Sequence, residues 1–173
     1  MDVWGSFMNR RQTTPQDLWD EFDSGELKPD FAKRVLGQYF NERWPCWNLS
    51  RNKWITMFTY AKEHYDGDDV RFQPLPEAPE GRQLYRGAPN QSRRGVSWTT
   101  SLHVARMFAG SSQYNFNSGA SIWTVQMTPE MFLAQPRLIE GEMEVLVDIG
   151  DVQPAKYESA AQVWKWFTTD PMV

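Results

Sequence analysis

Cysteine and histidine are nearly missing from this chain: one cysteine, Cys46, and two histidines, His64 and His103, in 173 residues. A single thiol excludes an internal disulfide and fits a reducing compartment. Neither histidine has a cysteine or a second histidine at ligand spacing, so no zinc or other metal site is expected. Cys46 lies between Pro45 and Trp47 and reads as a small core residue. Long apolar runs are also lacking. No stretch approaches the roughly 18 residues of a membrane span, and the opening MDVWGSFMNRRQ has no basic-then-apolar signal pattern. A soluble, cytoplasmic protein with no membrane partner is expected, in the producing cell or in a host cell. Positive charge is in deficit too: 18 Lys and Arg against 22 Asp and Glu give a formal charge of −4. That argues against a protein whose main task is gripping a nucleic-acid backbone. Two local basic runs, Arg51-Asn52-Lys53 and Arg93-Arg94, are where a nucleic-acid substrate could still be met, although such runs are commonly plain solvated surface.

What is there suits a folded protein. Apolar residues make up 40% and charged residues 23%, a globular balance, and the length fits one domain spanning residues 1–173. Nine tryptophans are spread along the chain, as core and pocket walls would be. The first 72 residues read as a helical lobe. Thr13 or Thr14 can cap a helix opening at Pro15, with Asp17 in its first turn, Leu18, Trp19 and Phe22 on its apolar side and Gly25 at its end. A second helix starts at Pro29-Asp30, carries Phe31, Val35, Leu36 and Tyr39 inward, and stops at Pro45. A third, capped by Asn48 or Ser50, buries Trp54, Ile55, Phe58 and Ala61 and closes at Gly67.

The proline-rich FQPLPEAPEG is an extended connector. From residue 80 onward the chain is strand-like. RQLYRG, GVSWTTS, ASIWTVQM and EMEVLVDI read as strands. TSLHVARMFA reads as a helix capped by Thr100 or Ser101, GSSQYNFNSG as a loop, TPEMFLA as one or two helical turns capped by Thr128, and SAAQVWKWF as a short closing helix or a tail packed on the body. Helices first, then an antiparallel or mixed sheet, is an α+β arrangement.

Three pieces of the β-rich half can carry chemistry. Glu142 and Glu144 share one strand face, joined by Glu140 if the strand starts early, while Val145 and Val147 turn to the opposite, apolar side. Clustered carboxylates raise one another's pKa. In a cleft, one could stabilise a cationic transition state while another accepts a proton. Arg86 offers a planar fork suited to phosphate or carboxylate, and Gly87 beside it lets a ligand or another backbone approach. Ser97, Thr99, Thr100 and Ser101 place small hydroxyls where a strand passes into a helix, and Phe108 follows along that helix.

In order and spacing these pieces resemble the arginine–serine–glutamate class of mono-ADP-ribosyltransferases: LYRG with Arg86, SWTTSLHVARMFA in place of the Ser-Thr-Ser strand, and EGEMEVLVD with Glu142 and Glu144. The resemblance spans residues 80–150. It implies an N-terminal helical lobe packed on a split, mixed β-sheet core that holds the catalytic site. It implies NAD as substrate, without a metal, and transfer of ADP-ribose to a macromolecule. Arg86 would hold the pyrophosphate, beside Gly87. Ser97 or Thr99 would fill the first hydroxyl position, and Thr99, Thr100 and Ser101 would support the nicotinamide side. Phe108 and Tyr114 would wall the nicotinamide. Glu144 would stabilise the oxocarbenium-like state, and Glu142 would orient and deprotonate the acceptor. In this class a glutamate at the Glu142 position goes with protein arginine as acceptor. Transfer to a nucleic-acid base, hydrolysis of NAD, and an inactive relative that binds only a nucleotide or a protein are the alternatives. A toxin or a phage-encoded effector fits such an activity.

Overall fold

The computed structural model describes residues 13–42, 45–64, 82–116, 119–135 and 144–169. Helix α1, Pro15–Ser24, opens on a reciprocal cap: the Thr14 hydroxyl accepts from the Asp17 amide, and the Asp17 carboxylate accepts from the Thr14 amide. Gly25 closes it in a left-handed conformation, φ 74°. Helix α2, Phe31–Asn41, buries Phe31, Val35, Leu36 and Tyr39. Pro45 does more than stop it, because a one-turn helix α3, Pro45–Asn48, begins there. Helix α4, Arg51–His64, has Ser50 at its start and buries Trp54, Met57, Phe58 and Ala61; the expected Ile55 is half-buried and Met57 goes inward instead.

Glu21 ties the lobe together. It is nearly buried on α1, and its carboxylate takes both arms of the Arg34 guanidinium from α2, at 2.8 and 2.9 Å, and the Lys28 amide at 2.7 Å. Arg34 holds the Glu21 carboxyl below the usual carboxylate range, burial opposing it and the Lys28 amide adding to it.

The β-rich half contains β1 Gln83–Ala88, β2 Ser97–Thr99, β3 Ser121–Gln126, β4 Phe132–Ala134, β5 Glu144–Val147 and β6 Ala155–Glu158. They form one sheet of order β4-β5-β2-β1-β3-β6. Every pairing is antiparallel, so the mixed sheet of the sequence expectation is corrected to its antiparallel alternative. β1 and β3 pair along six residues, but β1 and β2 share a single register pair, Tyr85 with Thr99. The sheet is therefore two three-stranded halves joined at one point. Leu84, Trp123 and Val125 from one half and Trp98, Phe132, Val145 and Val147 from the other bury one another in a common cluster.

Helix α5, Leu102–Phe116, and helix α6, Ala160–Thr169, cover the other face of β1 and β3 through Ala105, Ala109, Ile122 and Val163. The lobe covers the β4-β5-β2 half through Val96, Leu133, Ala134 and Leu146. Lys62 of α4 caps the main-chain carbonyl of Phe132 at 2.6 Å.

Three local expectations fail here. Residues 110–116, read as the start of a loop, continue α5: Gly110 does not end the helix but gives room to the Phe167 ring of α6. The TPEMFLA stretch makes a single 3-10 turn, Pro129–Met131, and then strand β4, with no side-chain cap from Thr128. Strand β6 was not foreseen. The proline-rich connector lies outside the described residues. No helix among the described residues is long and apolar enough to cross a membrane.

Replacing Glu21 by Gln should lower stability by about 2–3 kcal/mol, because Arg34 is left facing a neutral group in a mostly buried site. The depressed pKa fixes the sign of the pH dependence. The pair's contribution is complete above the ordinary carboxyl value of 4.5. It is lost as pH falls through the lower folded value. Denaturant melts of both proteins between pH 7 and 3 check this: the difference should shrink on acidification.

Candidate functional site

Where the two half-sheets part, Arg86 fills the opening. Its Nη1 donates to the Ser97 carbonyl at 2.5 Å and its Nε to the Ser92 carbonyl at 3.0 Å. Both partners are neutral main-chain groups, and Nη2 takes no partner among the described residues. The guanidinium lies against Gly95, where an added Cβ would stand 2.2 Å from Nη2. Burial pulls the Arg86 pKa down, with the charge of Arg51 pushing the same way, against Tyr39, Cys46 and Glu144. An arginine stays protonated under such a pull.

Across the junction, Thr99 of β2 stands opposite Glu144 of β5. Ser97, two residues back on the same face, reaches diagonally and donates its hydroxyl to Glu144 Oε1. The Thr99 hydroxyl oxygen accepts from the Ser101 amide at 3.0 Å, and the Ser101 hydroxyl oxygen accepts from the Val104 amide at 3.3 Å. Ser97 thus puts a hydroxyl on the glutamate, while Thr99 and Ser101 each accept a main-chain amide at the entry into α5.

Arg86, Ser97, Thr99 and Glu144 line a pocket of about 590 Å³. Its wall includes Arg86, Gly87, Ser97, Thr99, Phe108 and Glu144 of the expected site. Phe108 projects from α5 and is 56% exposed. Thr100 and Ser101, expected as ligand contacts, are not part of the wall. Ser101 starts the helix, and the Thr100 hydroxyl is buried without a partner among the described residues. Glu140 and Glu142 lie outside the described residues, as does the Tyr114 side chain. Of the two alternatives for Gly87, the approach of another backbone is the one observed: a Cβ there would stand 2.0 Å from the Ala105 carbonyl oxygen of α5.

Sequence reasoning missed the lobe's share of the wall. Tyr39 from α2, Cys46 from α3 and Arg51 from α4 all line the pocket. Cys46 is exposed rather than a core residue. Protein packed around its sulfur still desolvates the thiolate and pushes the thiol up, against the pull of Arg86 and Arg51. Burial pushes the Tyr39 phenol well up, negative charge at Cys46 and Glu144 adding to it and Arg86 opposing. The signal that could have flagged Tyr39 is its hydroxyl at the end of an otherwise apolar stripe. No group of three metal-ligating side chains is found among the described residues.

Comparison with protein-family models, with curated proteins and with solved structures found no match.

The arrangement can bind an anion at Arg86 while holding a carboxylate, fixed by a serine, at the opposite wall. Gly87→Ala should push α5 away from β1 and cost about 2–3 kcal/mol by overpacking. Thermal melts of the variant check this, and unchanged stability would mean that α5 does not sit against β1.

Proposed function

We propose that this chain transfers ADP-ribose from NAD to a macromolecular acceptor, with arginine side chains of a protein as the acceptor class, and releases nicotinamide. The observation that carries the reading is the convergence of Arg86, Ser97 and Glu144, from three different strands, on one pocket. The 590 Å³ volume is in the range of small-molecule and cofactor sites.

In the proposed reaction the bond between the ribose anomeric carbon and the nicotinamide nitrogen breaks, and its electron pair leaves with nicotinamide. The ribose passes through an oxocarbenium-like cation, the electrostatic problem that carboxylates solve in glycoside cleavage. Glu144 supplies the negative charge, oriented by the Ser97 hydroxyl. Arg86 holds the pyrophosphate through its Nη2, and Phe108 offers a flat apolar face to the nicotinamide. The acceptor nitrogen then bonds to the anomeric carbon and gives up a proton, with Glu142 as the base on this reading. Water in place of the acceptor would give NAD hydrolysis.

Adenylate-labelled NAD, incubated with a bacterial lysate and either the wild-type protein or Glu144→Gln, tests this. The variant should lose label transfer and nicotinamide release together, on the order of a hundredfold or more. It should melt like the wild type. Glu142→Gln should lose transfer far more than hydrolysis. Protease should remove the labelled product and nuclease should not. Equal nicotinamide release by wild type and Glu144→Gln would sink the assignment.

A further inference from the structure

The two basic runs that stood apart in the sequence each send one arginine into the pocket wall: Arg51 from α4, and Arg94 from the turn between β1 and β2. With Arg86 they put three arginines in one pocket wall, where Glu144 is the only carboxylate among the described residues. Their partners leave most of that charge standing. Among the described residues Arg51 is the one with a carboxylate: Nη2 to Asp148 at 2.8 Å, while its Nε donates to the Arg94 carbonyl at 2.6 Å. Arg94 donates to the Gly150 carbonyl, and its Nε is buried with no partner among the described residues. Arg86, as above, donates to carbonyls alone among the described residues. Main-chain carbonyls satisfy donors without cancelling a charge, so the wall of this acidic protein concentrates positive potential where a ligand would sit.

We infer that Arg51 and Arg94 complete, with Arg86, a pyrophosphate-binding subsite, so that the ligand's two phosphoryl groups are held by arginines from both the helical lobe and the β-rich half. One guanidinium fork matches one phosphoryl group. Three arginines in one wall suit a linked pair of phosphoryl groups better than a lone carboxylate or monophosphate. Arg51 has a second role, since its bonds to the Arg94 carbonyl and to Asp148 fix the turn that carries Arg94. The inference deepens the transferase reading by adding two residues to the Arg86 contact, and it rests on that reading only for the nucleotide attached to the pyrophosphate.

The probe is inorganic pyrophosphate, titrated by calorimetry into the full chain beside inorganic phosphate. Wild type should bind pyrophosphate at least about tenfold more tightly than phosphate, with affinity falling as salt rises. Arg94→Gln and Arg51→Gln should each weaken pyrophosphate binding on the order of tenfold or more, with Lys165→Gln on the far helix as the unaffected control. Arg51→Gln also loses an ion pair, so Arg94→Gln, which gives up one carbonyl contact, is the decisive variant if Arg51→Gln melts early. Equal affinity for the two anions, or wild-type pyrophosphate binding by Arg94→Gln, overturns the subsite. The two ideas fail separately. Arg94-dependent pyrophosphate binding without Glu144-dependent nicotinamide release keeps the subsite and removes the transferase. Glu144-dependent release with unchanged binding in Arg94→Gln does the reverse.

Discussion

Everything at this site depends on a cation lodged between two strands that have stopped pairing. β1 and β2 meet at Tyr85 and Thr99. Beyond that point the Ser97 carbonyl receives a hydrogen bond from the Arg86 side chain. A guanidinium cannot shed its charge to suit its surroundings, so the fold must supply acceptors and room. The Ser92 and Ser97 carbonyls are the acceptors, and Gly95, bare of a side chain, is the room. Because Arg86 keeps the halves parted on that side, Ser97 and Glu144 line an opening instead of a closed sheet face.

The helices of the lobe were legible because their signals are local. Thr14, Pro15 and Asp17 write a cap into four consecutive positions, and Gly25 supplies the left-handed exit that other residues resist. The placement of Glu144 was legible for a related reason: strand alternation on β5 separates it from Val145 and Val147, which are fully buried. Where reading failed, distant packing overrode local chemistry. Gly110 looked like a helix end, yet the Phe167 ring occupies the space that a side chain would need, and α5 runs on. The AKYE stretch of β6 is an edge strand with three exposed residues, and so carries no apolar alternation to read. Phe132, Leu133 and Ala134 are buried in a row on β4, a pattern that does not tell strand from helix.

The lobe's part in the pocket is a further case. Tyr39, Cys46 and Arg51 come from three separate helices, 35 to 47 residues before Arg86 by sequence number, and nothing local marks them as neighbours of β1. They arrive because the lobe seals its apolar side on Val96, Leu133, Ala134 and Leu146 of the half-sheet that carries Glu144. The lobe is thus more than a cover for that half. The Arg51 bonds to the Arg94 carbonyl and to Asp148 connect it to the turn and the strand end that flank the pocket.

Arg86 and Gly87 are adjacent in the chain but answer to different masters. Arg86 faces the opening, whereas Gly87 lies under α5, close enough that a methyl group would meet the Ala105 carbonyl. In diverging descendants of this sequence the two positions would both be held, and a motif drawn around them would look like one signature. On the proposed reading, a descendant that lost the activity would need the arginine only for its carbonyl contacts and would still keep the glycine, since α5 must rest on β1 in either case. On that reading, the dipeptide therefore divides into a residue that reports activity and a residue that reports architecture.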